Sequence, residues 1–99
     1  MPIEDSIDLH GLTQVQAART LCEFLAAAQE AGRRCVLVIT GKGNTRDEGG
    51  VLRAMTPRWL NEPANRKRIL AFEVAQPKHG GQGALYVLLR RRQQLREGL

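Results

Sequence analysis

Ile7-Asp8-Leu9-His10-Gly11 places a carboxylate and an imidazole two residues apart at the end of an alternating apolar and polar run. Strand side chains alternate between faces, so Asp8 and His10 are expected on the same side of a short first strand. An aspartate beside an imidazole can fix its tautomer and suit it to general acid–base work near neutrality. The pair could also bind a divalent ion, although two ligands alone are a weak metal signature. Taken in isolation, Asp-x-His is more often a polar strand residue followed by the neighbour of a helix cap.

Two later segments carry what such a pair lacks. Thr40-Gly41-Lys42-Gly43-Asn44 follows an apolar run, and its glycines leave backbone N–H groups unobstructed and allow positive φ. Successive amides of that kind form an anion-binding nest, to which Lys42 adds a compact charge. The spacing is not that of a Walker loop, and Gly-Lys-Gly alone is often only a turn. Lys78-His79-Gly80-Gly81-Gln82-Gly83 has three glycines in five positions after a lysine, which suits either a mobile tip or a second phosphate contact. Three loops of this type point to a site that handles phosphate. A serine or cysteine nucleophile is not indicated: Ser6 is the only serine, and Cys22 and Cys35 lie in apolar stripes.

Ninety-nine residues, 42% of them hydrophobic, suit one domain with a single core. Fifteen Lys and Arg against ten Asp and Glu give a formal charge of +5, which favours polyanionic partners without specifying a fold. No run approaches the roughly 18 apolar residues of a membrane span, and no signal-peptide core follows Met1. The two cysteines lack a pairing pattern and read as buried thiols of a reducing cytoplasm. Arg66-Lys67-Arg68 and Arg90-Arg91-Arg92 are solvated faces by default. If they follow a nucleic-acid backbone, each neutralised phosphate adds about 0.9 to the salt slope on duplex DNA. Aromatic residues are only 4%, and Trp59 stands at helical spacing from Met55, so it reads as core and stacking is not the main binding mode.

These residues must be positioned by the elements between them. Residues 7–10 read as a first strand. Thr13 with Gln16 makes a capping box, followed by Val15, Ala18, Cys22, Leu25 and Ala28 at helical spacing up to Gly32. Cys35–Ile39 is continuous and β-branched, as in a central parallel strand buried on both faces. Thr45–Gly50 reads as flexible and Val51–Met55 as one or two helical turns, with a fresh start at Thr56-Pro57. Pro63–Arg68 reads as a basic turn, 69–75 as a third strand and Ala84–Leu89 as a fourth. The expected architecture is a two-layer α/β sandwich, β-α-β-α-β-β, with a mostly parallel four-stranded sheet and two helices on one face. The first three strands would be parallel neighbours, and the last, joined by a short loop, mixed or antiparallel. In such a sheet the loops after strands one and two emerge together at the carboxyl edge, where ligands usually bind.

The three loops, in this order, resemble the Smr (small MutS-related) domain. Ile7–Gly11 is similar to its Leu-Asp-Leu-His-Gly signature, Thr40–Gly43 to its Thr-Gly-x-Gly, and Gly80–Ala84 to its Gly-Gly-x-Gly segment before the final strand. Thr56-Pro57-x-Trp59-Leu60 also looks like the stand-alone proteobacterial branch. The resemblance covers residues 7–91, leaving 1–6 and 92–99 as tails. It implies a fold like the C-terminal domain of translation initiation factor three. It also implies endonuclease activity, the nicking or cleavage of RNA or of structured or branched DNA, with a ribosome as a further partner.

By the same resemblance, Asp8 and His10 are the catalytic pair. Gly11, Gly41, Lys42 and Gly43 hold the phosphate, and Lys78, His79, Gly80, Gly81 and Gly83 form the opposite lip. From the basic segments rather than from the resemblance, Arg66, Lys67 and Arg90 are expected as further nucleic-acid contacts. Attack by a ribose 2′-hydroxyl needs no metal, whereas attack by water favours magnesium or manganese or a well-tuned base. The alternative is a non-catalytic module that docks on nucleic acid or a ribosome through its basic segments. A third possibility is a domain that supplies affinity and needs a partner segment. A cytoplasmic, monomeric protein is expected.

Overall fold

Thr13 starts the first helix as predicted. Its hydroxyl accepts the Gln16 N–H at 3.2 Å while the Gln16 side chain accepts the Thr13 N–H at 3.0 Å, so two otherwise unpaired donors of the first turn are satisfied reciprocally. In the computed structural model, which describes residues 2–42 and 48–91, helix α1 runs Gln14–Glu30. Gly43, Asn44, the segment 45–47 and the tail 92–99 lie outside the described residues. The buried stripe of α1 is Ala17, Leu21, Leu25 and Ala28 rather than the one that begins at Val15, which is 71% exposed. The two stripes share Leu25 and Ala28. Turning Leu21 inward puts the larger side chain at the centre of the core, and Ala17 and Ala28 let both ends of the helix approach the sheet.

Four strands form one sheet: β1 (Asp5–Asp8), β2 (Cys35–Ile39), β3 (Ile69–Val74) and β4 (Ala84–Leu89). Their order is β1-β2-β4-β3. β1 and β2 are parallel, while β4 is antiparallel to both β2 and β3. The sheet is therefore mixed, and the expected row of three parallel neighbours is corrected. β4 inserts between β2 and β3. Its six residues are uninterruptedly apolar, with Val87 and Leu89 fully buried, as a central strand requires. β3 carries Glu73 and exposes Leu70 and Val74, as befits an edge. The first strand ends at Asp8, two residues earlier than the alternation suggested.

Helix α2 (Glu48–Leu60) continues through Thr56-Pro57 without restarting. The buried Thr56 hydroxyl donates back to the Leu52 carbonyl at 2.7 Å, a local bond that helps carry the chain past the proline, whose N–H is missing. The expected basic turn contains a four-residue helix, α3 (Pro63–Arg66), tied to α2 by the buried Asn65 amide on the Trp59 carbonyl at 2.8 Å. One core joins Leu21 and Leu25 of α1, Leu52, Trp59 and Leu60 of α2, and Val36, Val38, Val87 and Leu89 of the sheet. The helices thus cover one face, as expected, and Trp59 is core. A smaller apolar group on the other face holds Leu37, Ala75 and Ala84 with Ile3, Ile39 and Tyr86. Both cysteines are free thiols, Cys22 half-buried and Cys35 buried.

β1 begins against the start of β2, where the Glu4 carboxylate accepts the backbone N–H groups of Arg34 and Cys35. Those bonds, with smaller help from the Arg33 and Arg34 charges, hold the Glu4 carboxyl below its ordinary value of 4.5. Because the folded value is depressed, its contribution is present above 4.5 and is lost as pH falls through the folded value. Glu4→Gln should therefore lower the thermal midpoint at neutral pH and have a smaller effect at about pH 3. An equal deficit at both pH values would mean that the carboxylate charge contributes nothing.

Candidate active site at the carboxyl edge of the sheet

β1, β2 and β3 end, and β4 begins, at one edge, with Asp8, Ile39 and Ala84 in one register row. Just beyond that row, the Leu9 N–H donates to the Ile39 carbonyl at 2.8 Å, and the Leu9 side chain is fully buried. Burying such a side chain is worth about 1.5–3 kcal/mol, which anchors the loop that follows. The chain then turns: the Leu12 N–H donates to the Leu9 carbonyl at 3.1 Å, and Gly11 has φ +88°, the value of the third residue of a type II turn. His10 is the second residue of that turn, exposed at the edge. Asp8 Oδ1 accepts the His10 backbone N–H at 2.9 Å. The expected side-by-side placement on one strand face is thus corrected. The strand has ended, and Asp8 holds His10 by its backbone rather than by its ring.

The second loop lies against the first. A Cβ built on Gly41 would stand 3.3 Å from His10 Cδ2, so the imidazole rests on the Gly41 backbone. Gly41 itself has φ +89°. Two backbone donors converge on the Gly83 carbonyl, the Thr40 N–H at 2.8 Å and the Gly41 N–H at 3.1 Å, while the buried Thr40 hydroxyl has the Gly41 carbonyl at 3.1 Å and the Gly83 carbonyl at 3.3 Å within reach of its single hydrogen. A Cβ on Gly83 would come within 2.9 Å of the Gly41 carbonyl carbon and 3.1 Å of the Lys42 nitrogen. His10, Gly41-Lys42 and Gly83 are therefore stacked in sequence along the edge.

This packing decides which amides are free. The Gly41 N–H is already committed to Gly83. The Lys42 N–H makes no hydrogen bond to the described residues, and the Lys42 side chain is exposed. Gly43 lies outside the described residues. Of the third loop, Gly83 packs against the described part of the second. Lys78 is exposed, while His79 turns onto the sheet face that the helices leave open. There its Nδ1 lies 2.6 Å from the Tyr86 hydroxyl, with the rings edge to face at 5.6 Å. Gly80 (φ +114°) and Gly81 (φ +53°) shape that connection. Tyr86 as the partner of His79 was not foreseen, although His79 and an alternating strand containing Tyr86 are both plain in the sequence.

Arg66, Lys67 and Arg90 belong to the opposite edge, where β3 begins and β4 ends. Backbone bonds from Leu89 to Arg34 (2.8 Å) and from Arg90 to Arg68 (2.8 Å) draw three basic segments together there. Arg66 Nη1 donates to the Ile69 carbonyl at 2.8 Å, while Lys67, Arg90 and Arg91 are exposed. Among the described residues no group of three or more His, Cys, Asp or Glu side chains could hold a metal ion; Asp8 and His10 alone are too few.

A mixed four-stranded sheet with helices on one face and loops meeting at its carboxyl edge defines a small α/β domain with a candidate site in those loops. The chain belongs to the Smr domain family, whose model it matches over residues 7–90. It is 37% identical over 83 residues to the ribosome rescue factor SmrB of Enterobacter sp. strain 638, and equally to that of Escherichia coli strain K12. Those matches cover 84% of this chain and 41% of the relatives, so the chain spans less than half their length. Among solved structures it is similar to the Smr domain of Thermus thermophilus MutS2, at TM-score 0.76 and 30% identity, covering 88% of this chain and 99% of that one. It is also similar to YdaL, a stand-alone small MutS-related protein from Escherichia coli, at TM-score 0.73 and 35% identity, covering 87% and 64%.

Proposed function

We propose that the chain is an endonuclease that cleaves a phosphodiester of RNA or of structured DNA at the His10 edge. The observation that carries this reading is the exposed His10 ring seated on Gly41, next to the Lys42 ammonium and the Lys42 N–H, which has no partner among the described residues. An imidazole there can take the proton of an attacking oxygen, a ribose 2′-hydroxyl or a water, and then give a proton to the leaving oxygen. Lys42, through its ammonium and N–H, stabilises the charge that develops on the non-bridging oxygens. Asp8 is a positioning residue, which sets the turn that presents His10. Similarity to ribosome rescue factors makes ribosome-associated RNA a natural substrate.

Incubating the purified chain with labelled RNA and with branched DNA, in magnesium, manganese or EDTA, tests the proposal. Cleavage of either substrate supports it, and intact substrates under all conditions favour a docking module that binds through its basic edge. The positioning role has its own test. Asp8→Asn keeps an oxygen for the His10 N–H and should retain cleavage within about tenfold, whereas Asp8→Ala frees the turn and should lose about 10²-fold. Equal losses in the two variants would assign the carboxylate charge a direct chemical part.

A further inference from the structure

Among the described residues no helix covers the other face of the sheet, where Ile3 and the β3–β4 connection pack over part of it. Period-two alternation sends Val36, Val38, Val87 and Leu89 into the helical core, and Cys35, Leu37, Tyr86 and Leu88 to the other side. A cavity of about 450 Å³ opens there, with Ile3, Cys35, Ala71 and Leu88 as an apolar floor and Tyr86 and His79 as its wall. That volume lies in the range of sites that take one small organic ring system. Its polar rim holds Glu73 of β3 with Gln76, Lys78 and His79, the last three from the same β3–β4 connection whose last residue, Gly83, locks against Gly41 and Lys42. The cavity and the His10 edge are therefore joined by one loop.

The wall is also oriented. The Gln76 N–H can only donate, so the Tyr86 oxygen accepts it, at 3.1 Å. The same hydroxyl lies 2.6 Å from His79 Nδ1, so Gln76, Tyr86 and His79 form one hydrogen-bonded chain along the wall. At the far edge stand Lys67, Arg90 and Arg91, one strand length, about 17–20 Å, from Lys42. An apolar slot with an aromatic wall, between two cationic edges, matches a chain of flat rings carried on a phosphate backbone.

We infer that this face of the sheet is a track for an unpaired stretch of nucleic acid: one base enters the cavity against Tyr86, and the phosphates reach Lys42 at one edge and Lys67, Arg90 and Arg91 at the other. This rests on the proposed nuclease reading for the position of the scissile phosphate. A paired base is held inside its stack and cannot offer its ring to such a slot, so the track selects unpaired substrate. The ribose and deoxyribose forms share this chemistry.

Binding in the His10→Ala background tests the track independently of cleavage, with single-stranded RNA and DNA of about 4 and about 16 nucleotides and a blunt duplex. Single strands of the longer length should bind more tightly than the short ones and than the duplex at equal salt. Ala71→Phe fills the slot from an exposed position and should weaken single-strand binding about tenfold without affecting duplex binding. Replacing Lys67, Arg90 and Arg91 by alanine should lower the salt slope on single strands by about 2, and these surface changes decide the matter should Ala71→Phe unfold. A duplex bound as tightly as the long single strand, or an unchanged affinity and salt slope in the variants, overturns the track. Failure of the wild type to cleave would remove the nuclease reading and leave these affinities to be judged alone. Comparison of the RNA and DNA arms identifies which sugar the track prefers.

Discussion

Gly83→Ala should destabilise the domain by about 1–3 kcal/mol and slow cleavage about 10²-fold. The side chain would arrive 2.9 Å from the Gly41 carbonyl carbon and 3.1 Å from the Lys42 nitrogen, both backbone atoms that cannot rotate away. Relief requires the second loop to move off the edge. That movement also breaks the two backbone hydrogen bonds gathered on the Gly83 carbonyl. The Gly41 backbone is the surface on which the His10 ring rests, so the imidazole and the lysine separate together. Gly32→Ala supplies the control. Gly32 has φ +82° and open space around it, at the opposite end of the molecule between α1 and β2. It should cost about 1 kcal/mol or more through backbone strain alone and leave cleavage by the folded protein unchanged. Denaturant midpoints and single-turnover rates on both variants separate a stability loss from a loss of geometry. Wild-type cleavage by Gly83→Ala would mean that the loop packing does not position the site.

The chain's own pattern makes the first half of the fold legible because its signals are local. The Thr13–Gln16 capping box, Gly32 after α1, and the apolar run of β2 each act within a few residues and were each met in the structure. The strand order depends instead on which strand sits beside which, a non-local choice. The unbroken apolar β4 and the Glu73-bearing β3 do contain the information, since a central strand is buried on both faces and an edge strand is not. Reading them in chain order alone hid it. The juxtaposition of His10 with Gly41 follows from the parallel β1–β2 pair and was expected. The diversion of Asp8 onto the His10 backbone was not, because strand alternation cannot anticipate a strand that ends two residues early in a turn. Nor could a glycine count reveal that the Gly41 amide is spent on Gly83, which is a tertiary contact between segments more than 40 residues apart.

His10→Ala should remove cleavage while leaving fold and affinity close to wild type. The ring is exposed and none of its nitrogens is hydrogen-bonded to the described residues, so truncating it creates no buried cavity and leaves no buried group unpaired. The turn that carries it is held by Leu9, Gly11 and the Asp8 carboxylate, all of which remain. Lys42 and the far basic edge also remain, so the attraction for phosphate persists. What disappears is the imidazole that rests on Gly41, a group of the type that can both accept and donate a proton. The loss of a general acid–base imidazole is worth about 10²–10⁴-fold. The most direct test is a single-turnover assay on labelled RNA, with wild type and His10→Ala purified side by side at saturating concentration. The account predicts cleavage by the wild type and a rate at least about 10²-fold lower for the variant at equal binding; equal rates for the two proteins would contradict it.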